Sequence, residues 1–93
     1  MVLQTPNDPY ALALAALAAM LTDERRAQRF LDLTGIGTDE LRHRANEPAL
    51  LTAVIAFLES HEPDLLSVSE MIGVNAEALV AARRQIEFER GMP

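Results

Sequence analysis

The segment TGIGTDELR contains the residue types of a phosphate-binding corner. In a helix-hairpin-helix module, glycines between two short helices let backbone N–H groups approach a DNA phosphate, and a cation follows close behind. Gly35, Gly37 and Arg42 fit that pattern, whereas Asp39 and Glu40 place two carboxylates where the phosphate would dock. At about 5–6 Å and an effective dielectric of about 20, a carboxylate repels a phosphate by roughly 3 kcal/mol. We therefore favour an ordinary helix-to-helix corner and keep phosphate contact through the two glycines and the arginine as the alternative.

A second glycine turn, within MIGVNAEALVAARRQI, has the spacing of a helix-turn-helix motif. Gly73 lies at the turn, and the helix that follows would be the recognition helix. That helix offers few side chains that read bases, and the stretch from Glu62 to Arg90 holds six acidic residues against three arginines. The whole chain has a net charge of −6, which repels nucleic acid at long range. Nucleic-acid binding, of either type, is therefore the alternative function rather than the leading one.

The sequence offers little for acid–base, nucleophilic or metal chemistry. Its two histidines, His43 and His61, are far apart, and it contains no cysteine, which excludes thiolate nucleophiles and cysteine-ligated zinc. Glu59 and Glu62 flank His61, a trio that an exposed helix end explains. Neither an HExxH motif nor a Ser-His-Asp spacing is present. We expect no catalytic residue, metal site, cofactor or small-molecule ligand, and hence no enzyme.

The composition predicts that these residues stand on helices. Hydrophobic residues make up 49% of the 93-residue chain and aromatic residues only 4%, and the dominance of alanine and leucine favours helix over strand. A chain of this length supports one hydrophobic core. We predict an all-α fold, a compact bundle of five or six short helices with glycine corners at 35–37 and 73–75. Residues 8–90 form this single domain, after a loose arm over residues 1–7.

No segment has the features of a signal peptide or a membrane span. A signal peptide begins with a positively charged region, but the first ten residues contain no basic side chain. The longest apolar run, 10–21, covers about half of the ~20 residues needed to cross a bilayer. We expect a cytoplasmic protein with no membrane contact, and the lack of cysteine fits that compartment.

Capping residues predict where the first helices begin and end. Asp8 before Pro9 starts a helix that ends near Leu21, and Thr22 is expected to cap the next. Whether the stretch 9–33 is one kinked helix or two stays open.

In the second helix, the periodicity predicts which side chains face the core. Arg26 and Arg29 are expected to point outward, and Phe30 and Leu33 inward. The helix should end at Gly35 in a Schellman motif.

The two glycine corners resemble each other. After each corner a polar residue is expected to cap the next helix, namely Thr38 in the first case and Asn75 in the second. Common capping rules produce the same pattern, so an internal duplication stays open.

The first helix is apolar on every side, and this is the least explained feature of the sequence. Small alanines allow close helix approach, and Tyr10, Leu14, Leu17 and Met20 form a candidate protein interface. Alternatively, the helix fills the centre of the bundle and is covered by residues 46–60. We predict a non-enzymatic protein-interaction or regulatory module whose partner is another protein or a second copy of this chain.

Three segments together resemble a family of short bacterial proteins known only as a domain of unknown function. They are RFLDLTGIGTDELRHRA, EPALLTAVIAFLESHEPDLL and IGVNAEALVAARRQI, and the resemblance spans residues 11–85. It implies a cytoplasmic, all-helical, stand-alone protein and brings no activity, ligand or catalytic residue.

Overall fold

A computed structural model describes residues 8–91, which fold into six helices. In chain order they are α1 (Pro9–Met20), α2 (Glu24–Thr34), α3 (Thr38–His43), α4 (Pro48–Glu59), α5 (Glu62–Ile72) and α6 (Ala76–Glu89). Helices α1, α4, α5 and α6 pack against one another, and one cluster of buried apolar side chains includes members from all six. The all-α bundle is confirmed. The expected loose arm, residues 1–7, lies outside the described residues.

The break between α1 and α2 settles the question of one helix or two. Asp8 caps α1 as predicted, because its Oδ1 accepts a hydrogen bond from the Tyr10 N–H at 2.9 Å. The cap of α2 is Asp23, whose Oδ1 accepts from the Arg26 N–H at 3.0 Å. Thr22 was the wrong residue for this role, since its hydroxyl donates instead to a carbonyl at the end of α1.

The glycine corners end their helices with different hydrogen bonds. Gly35 has φ 73°, and its N–H donates to the Leu31 carbonyl at 2.8 Å, which is the single-bond αL motif rather than the predicted Schellman motif. Gly73 has φ 78°, and the Val74 N–H donates to the Ser69 carbonyl at 3.0 Å, which is a Schellman motif. Glycine is required at both points because the left-handed region strains other residues.

The helices after the corners also begin differently. Thr38 is already the first residue of α3, so the prediction of Thr38 as the cap was wrong. The cap position is taken by Gly37, which has no side chain to accept a capping hydrogen bond. Asn75 caps α6 as predicted, and its Oδ1 accepts from the Ala78 N–H at 2.8 Å. The two corners therefore share an outline but not their bonding.

The orientation of α2 differs from the prediction. Phe30 is buried as expected, but Leu33 is 73% exposed. Arg26, expected outside, turns inward and bonds a buried carboxylate on α5, Asp64. A contact across the fold has thus overridden the local apolar pattern.

No single helix within residues 8–91 is long and apolar enough to cross a membrane. Helices α5 and α6 reach the required length and composition only as a pair, and the pair is bent by 96°.

Candidate functional site

The outer face of α1 is an apolar surface that the other elements within residues 8–91 leave open. Its exposed side chains follow a 3-4-3 spacing, and we call this set the α1 seam: Ala11, Leu14, Ala18 and Leu21. The two leucines are 42% and 41% exposed. The helix from Pro9 to Met20 contains no charged residue. A 3-4-3 spacing of apolar residues is the a/d pattern by which two helices pack side by side.

The structure divides the four predicted interface residues between two faces of α1. Leu17 and Met20 are buried in the core, whereas Leu14 is exposed and Tyr10 is half-buried against the core. The accessible surface thus keeps only Leu14 and Tyr10 of the predicted set. Ala11, Ala18 and Leu21 share the exposed face with Leu14, and the heptad spacing of these four residues is visible in the sequence. Whether this face binds a partner stays a prediction.

A groove of about 520 Å³ continues the α1 seam at its C-terminal end. Leu21 belongs to both surfaces, and Ala27 and Leu31 of α2 line the groove with it. Charged groups also line it, including Glu24 and Arg25. The groove therefore combines apolar lining with polar groups.

A cluster of charged side chains around Asp64 attaches α2 to the start of α5. The Asp64 side chain is buried and receives hydrogen bonds from Arg26 Nε at 2.9 Å and from Arg29. The Nδ1 atom of His61 lies 3.0 Å from the same carboxylate. Burial raises the pKa of Asp64, but the hydrogen bonds from Arg26 and His61 and the charges of the two arginines outweigh it. The pKa therefore lies below its ordinary value of 3.8.

Sequence reasoning missed this cluster. Arg26 and Arg29 stand three residues apart, on one face of a helix, but nothing local indicates a partner 38 and 35 positions away. Arg29 also lies over the Phe57 ring, 5.6 Å from its centroid, a cation–π distance. These contacts hold the fold together and need no ligand to explain them.

At the first glycine corner, the carboxylates lie close to the arginines that follow it. The exposed Arg42 has a carboxylate neighbour, with its Nη1 3.7 Å from Asp39. Arg44, two residues later, bonds Glu40 at 3.2 Å and Glu47 at 2.8 Å. These distances do not test phosphate contact through Gly35, Gly37 and Arg42. They show that Arg42 and Arg44 already lie beside carboxylates, which would compete with a phosphate for the arginine charges.

The second corner has the angle of a helix-turn-helix motif. The 96° bend between α5 and α6 falls within the ~90–120° typical of the motif. The outer face of α6 carries Glu77 and Arg84 beside small apolar residues. Arg83 is already engaged by carboxylates on α4 and α6, Glu59 and Glu87. The angle permits groove binding, while the side chains offer few groups for it.

Neither histidine forms part of a metal site in the described range. Residues 8–91 contain no group of three or more histidine, cysteine, aspartate or glutamate side chains placed to hold a metal ion. His43 Nδ1 lies 2.8 Å from the Asp39 carbonyl on the same helix. His61 belongs to the Asp64 cluster.

A protein-family model covers most of the chain. The family model described as "Protein of unknown function (DUF3572)" matches residues 6–88. The chain belongs to the DUF3572 family. The α1 seam, the Asp64 cluster and both glycine corners of this DUF3572 chain lie inside the matched stretch. No curated protein and no solved structure matches the chain, so its function must be argued from its own surfaces.

Proposed function

We propose that this protein is a non-enzymatic, cytoplasmic interaction module that associates with a second copy of itself through the α1 seam. The observation that carries the proposal is the seam itself, four exposed apolar side chains at helix-pairing spacing on a helix without charge. Covering such a face with a partner lowers the free energy, because apolar surface is removed from water and the face carries no charge that would have to be desolvated.

The make-up of the seam fits a second copy. Alanine and leucine alternate along it, so the large side chains of one copy have small side chains of the other to pack against. Burying the exposed part of each leucine contributes about 1 kcal/mol. Loss of translational and rotational freedom opposes association, so we expect a weak dimer that dissociates on dilution.

Leu14→Glu tests the proposal. The substitution places a carboxylate at the centre of the seam in both copies, and we expect at least about a tenfold loss of dimer affinity, or 1.4 kcal/mol. The measurement is sedimentation equilibrium over a wide range of protein concentrations. Leu14 is exposed and glutamate is a good helix former, so the circular dichroism of the variant should match that of the parent.

Leu33→Glu is the matched control, because Leu33 is 73% exposed on α2 and lies outside the seam. It should dimerise like the parent. A parent protein that stays monomeric at the highest concentration would overturn the proposal, and so would equal dimerisation of the Leu14 variant.

The 96° angle between α5 and α6 supports a second candidate, a helix-turn-helix nucleic-acid binder. We rank it second because the chain carries a net charge of −6, which opposes binding to phosphate backbones. We expect no saturable rise in the anisotropy of labelled duplex or single-stranded DNA at about 50 mM salt, where electrostatic binding is strong. Saturable binding that weakens steeply by about 200 mM salt would instead favour the nucleic-acid reading.

A further inference from the structure

We infer that the two copies meet antiparallel across the α1 seam, and that the exposed edge of Tyr10 of each copy contacts the groove lined by Leu21, Ala27 and Leu31 of the other. This inference rests on the proposed function and adds the direction of the helices and a second contact.

The order of side chains in the seam selects the antiparallel direction. A two-fold axis close to residue 16 places Leu14 opposite Ala18 and Ala11 opposite Leu21, so every layer pairs one large with one small side chain. In antiparallel helix pairs an a position faces a d position, which is this arrangement. A parallel pair would place leucine against leucine and alanine against alanine. The leucine layers would be crowded and the alanine layers would leave gaps, and both crowding and gaps are unfavourable in a packed interface.

The antiparallel direction also brings Tyr10 to the groove. With the axis near residue 16, position 10 of one copy lies opposite position 22 of the other, one residue beyond Leu21. Tyr10 is partly buried against its own core, so the exposed edge of its ring and its hydroxyl are the groups that reach the groove. The mixed apolar and polar lining of the groove suits a side chain with an apolar ring and a hydroxyl.

The tyrosine contact would add area to an interface that the seam alone keeps small. A standard protein–protein interface buries about 1,200–2,000 Å² in total, more than the sides of one short helix pair supply. Because the two-fold axis generates the tyrosine contact twice, it enlarges the interface at both ends.

Disulfide mapping tests the direction, since the chain contains no native cysteine. Ala11→Cys and Leu21→Cys proteins are mixed in equal amounts, oxidised and analysed by mass spectrometry. In the antiparallel dimer position 11 faces position 21, so the mixed disulfide should dominate. The two copies of residue 11 would lie about 15 Å apart at 1.5 Å per residue, beyond the ~7 Å Cα separation that a disulfide spans.

The outcomes separate the inference from the proposed function. Homodisulfides from both variants, without the mixed product, would show a parallel pair and overturn the inference while leaving the dimer intact. Cross-linking no greater than that of an exposed Leu33→Cys control would overturn both.

Tyrosine emission tests the groove contact. The chain has one tyrosine and no tryptophan, so its intrinsic fluorescence comes from Tyr10. Acrylamide quenching should fall as protein concentration rises through the dimerisation range, and it should stay constant for Leu14→Glu. Constant quenching in a parent protein that dimerises would overturn the groove contact.

Discussion

Phe30→Ala should lower the free energy of unfolding by about 3–5 kcal/mol, the cost of emptying a fully buried phenylalanine site. Phe30 has no exposed surface, and its ring meets Phe57 of α4 edge-to-face, with centroids 5.3 Å apart and planes at 78°. Such pairs add about 0.5–1.5 kcal/mol beyond the area they bury. The substitution therefore loses both packing and the aromatic contact.

The effect is large because Phe30 is the main apolar anchor of α2. Within α2, which lies wholly in the described range, Phe30 alone is buried. A domain of this size has a total stability of about 5 kcal/mol, so the variant should be partly unfolded at room temperature. Urea denaturation followed by circular dichroism measures the change.

Phe88→Ala is the matched control for this prediction. Phe88 is the same residue type on α6 but is 85% exposed, and its removal should change stability by less than about 0.5 kcal/mol. Equal losses in the two variants, or an unchanged midpoint for Phe30→Ala, would contradict the role assigned to Phe30.

Local signals in the sequence placed most of the helix boundaries, although two of the predicted caps were wrong. Asp8 before Pro9, Gly35 after α2 and Asn75 before α6 act through their own backbone or through neighbours within three positions. Capping chemistry is short-range, so one sequence contains all the information it needs. The wrong caps, Thr22 and Thr38, each lie one residue from the true cap, where two adjacent residues compete for the position.

The direction in which α2 faces could not be predicted in this way. The pattern of the helix placed Leu33 inside and Arg26 outside, and the structure has the reverse. Arg26 turns inward because Asp64, far along the chain, is buried and needs a cation. Only the assembled fold brings those two residues together.

The sequence left two interpretations of α1 open, a protein interface or the centre of the bundle, and each describes one face of the helix. Leu17 and Met20 pack in the bundle, as the core alternative expects, and Leu14 stays exposed, as an interface requires. Because the helix carries no charged residue, nothing in its own sequence marks which face is inside. The heptad spacing of Ala11, Leu14, Ala18 and Leu21 becomes meaningful once the inner face is known.

Asp64→Asn should lower the free energy of unfolding at pH 7 by about 2–3 kcal/mol, because it leaves the largely buried Arg26 without its main counter-charge. Asp32→Asn is the control, since Asp32 is exposed on α2 and accepts a hydrogen bond from the Gln28 amide. That change should cost less than about 0.5 kcal/mol.

The difference between the parent and Asp64→Asn should depend on pH in one direction. The folded-state pKa of Asp64 lies below 3.8, so the unfolded chain takes up the proton first as the pH falls. The stabilisation by the carboxylate is therefore complete above about pH 5, declines through the unfolded-state pKa, and is lost once the pH passes below the folded-state pKa. Urea midpoints of both proteins, measured from pH 7 to pH 2, should draw closer together as the pH falls. A difference that stays constant across this range would show that the Asp64 charge contributes nothing to stability, and that the asparagine variant loses only shape and hydrogen bonding.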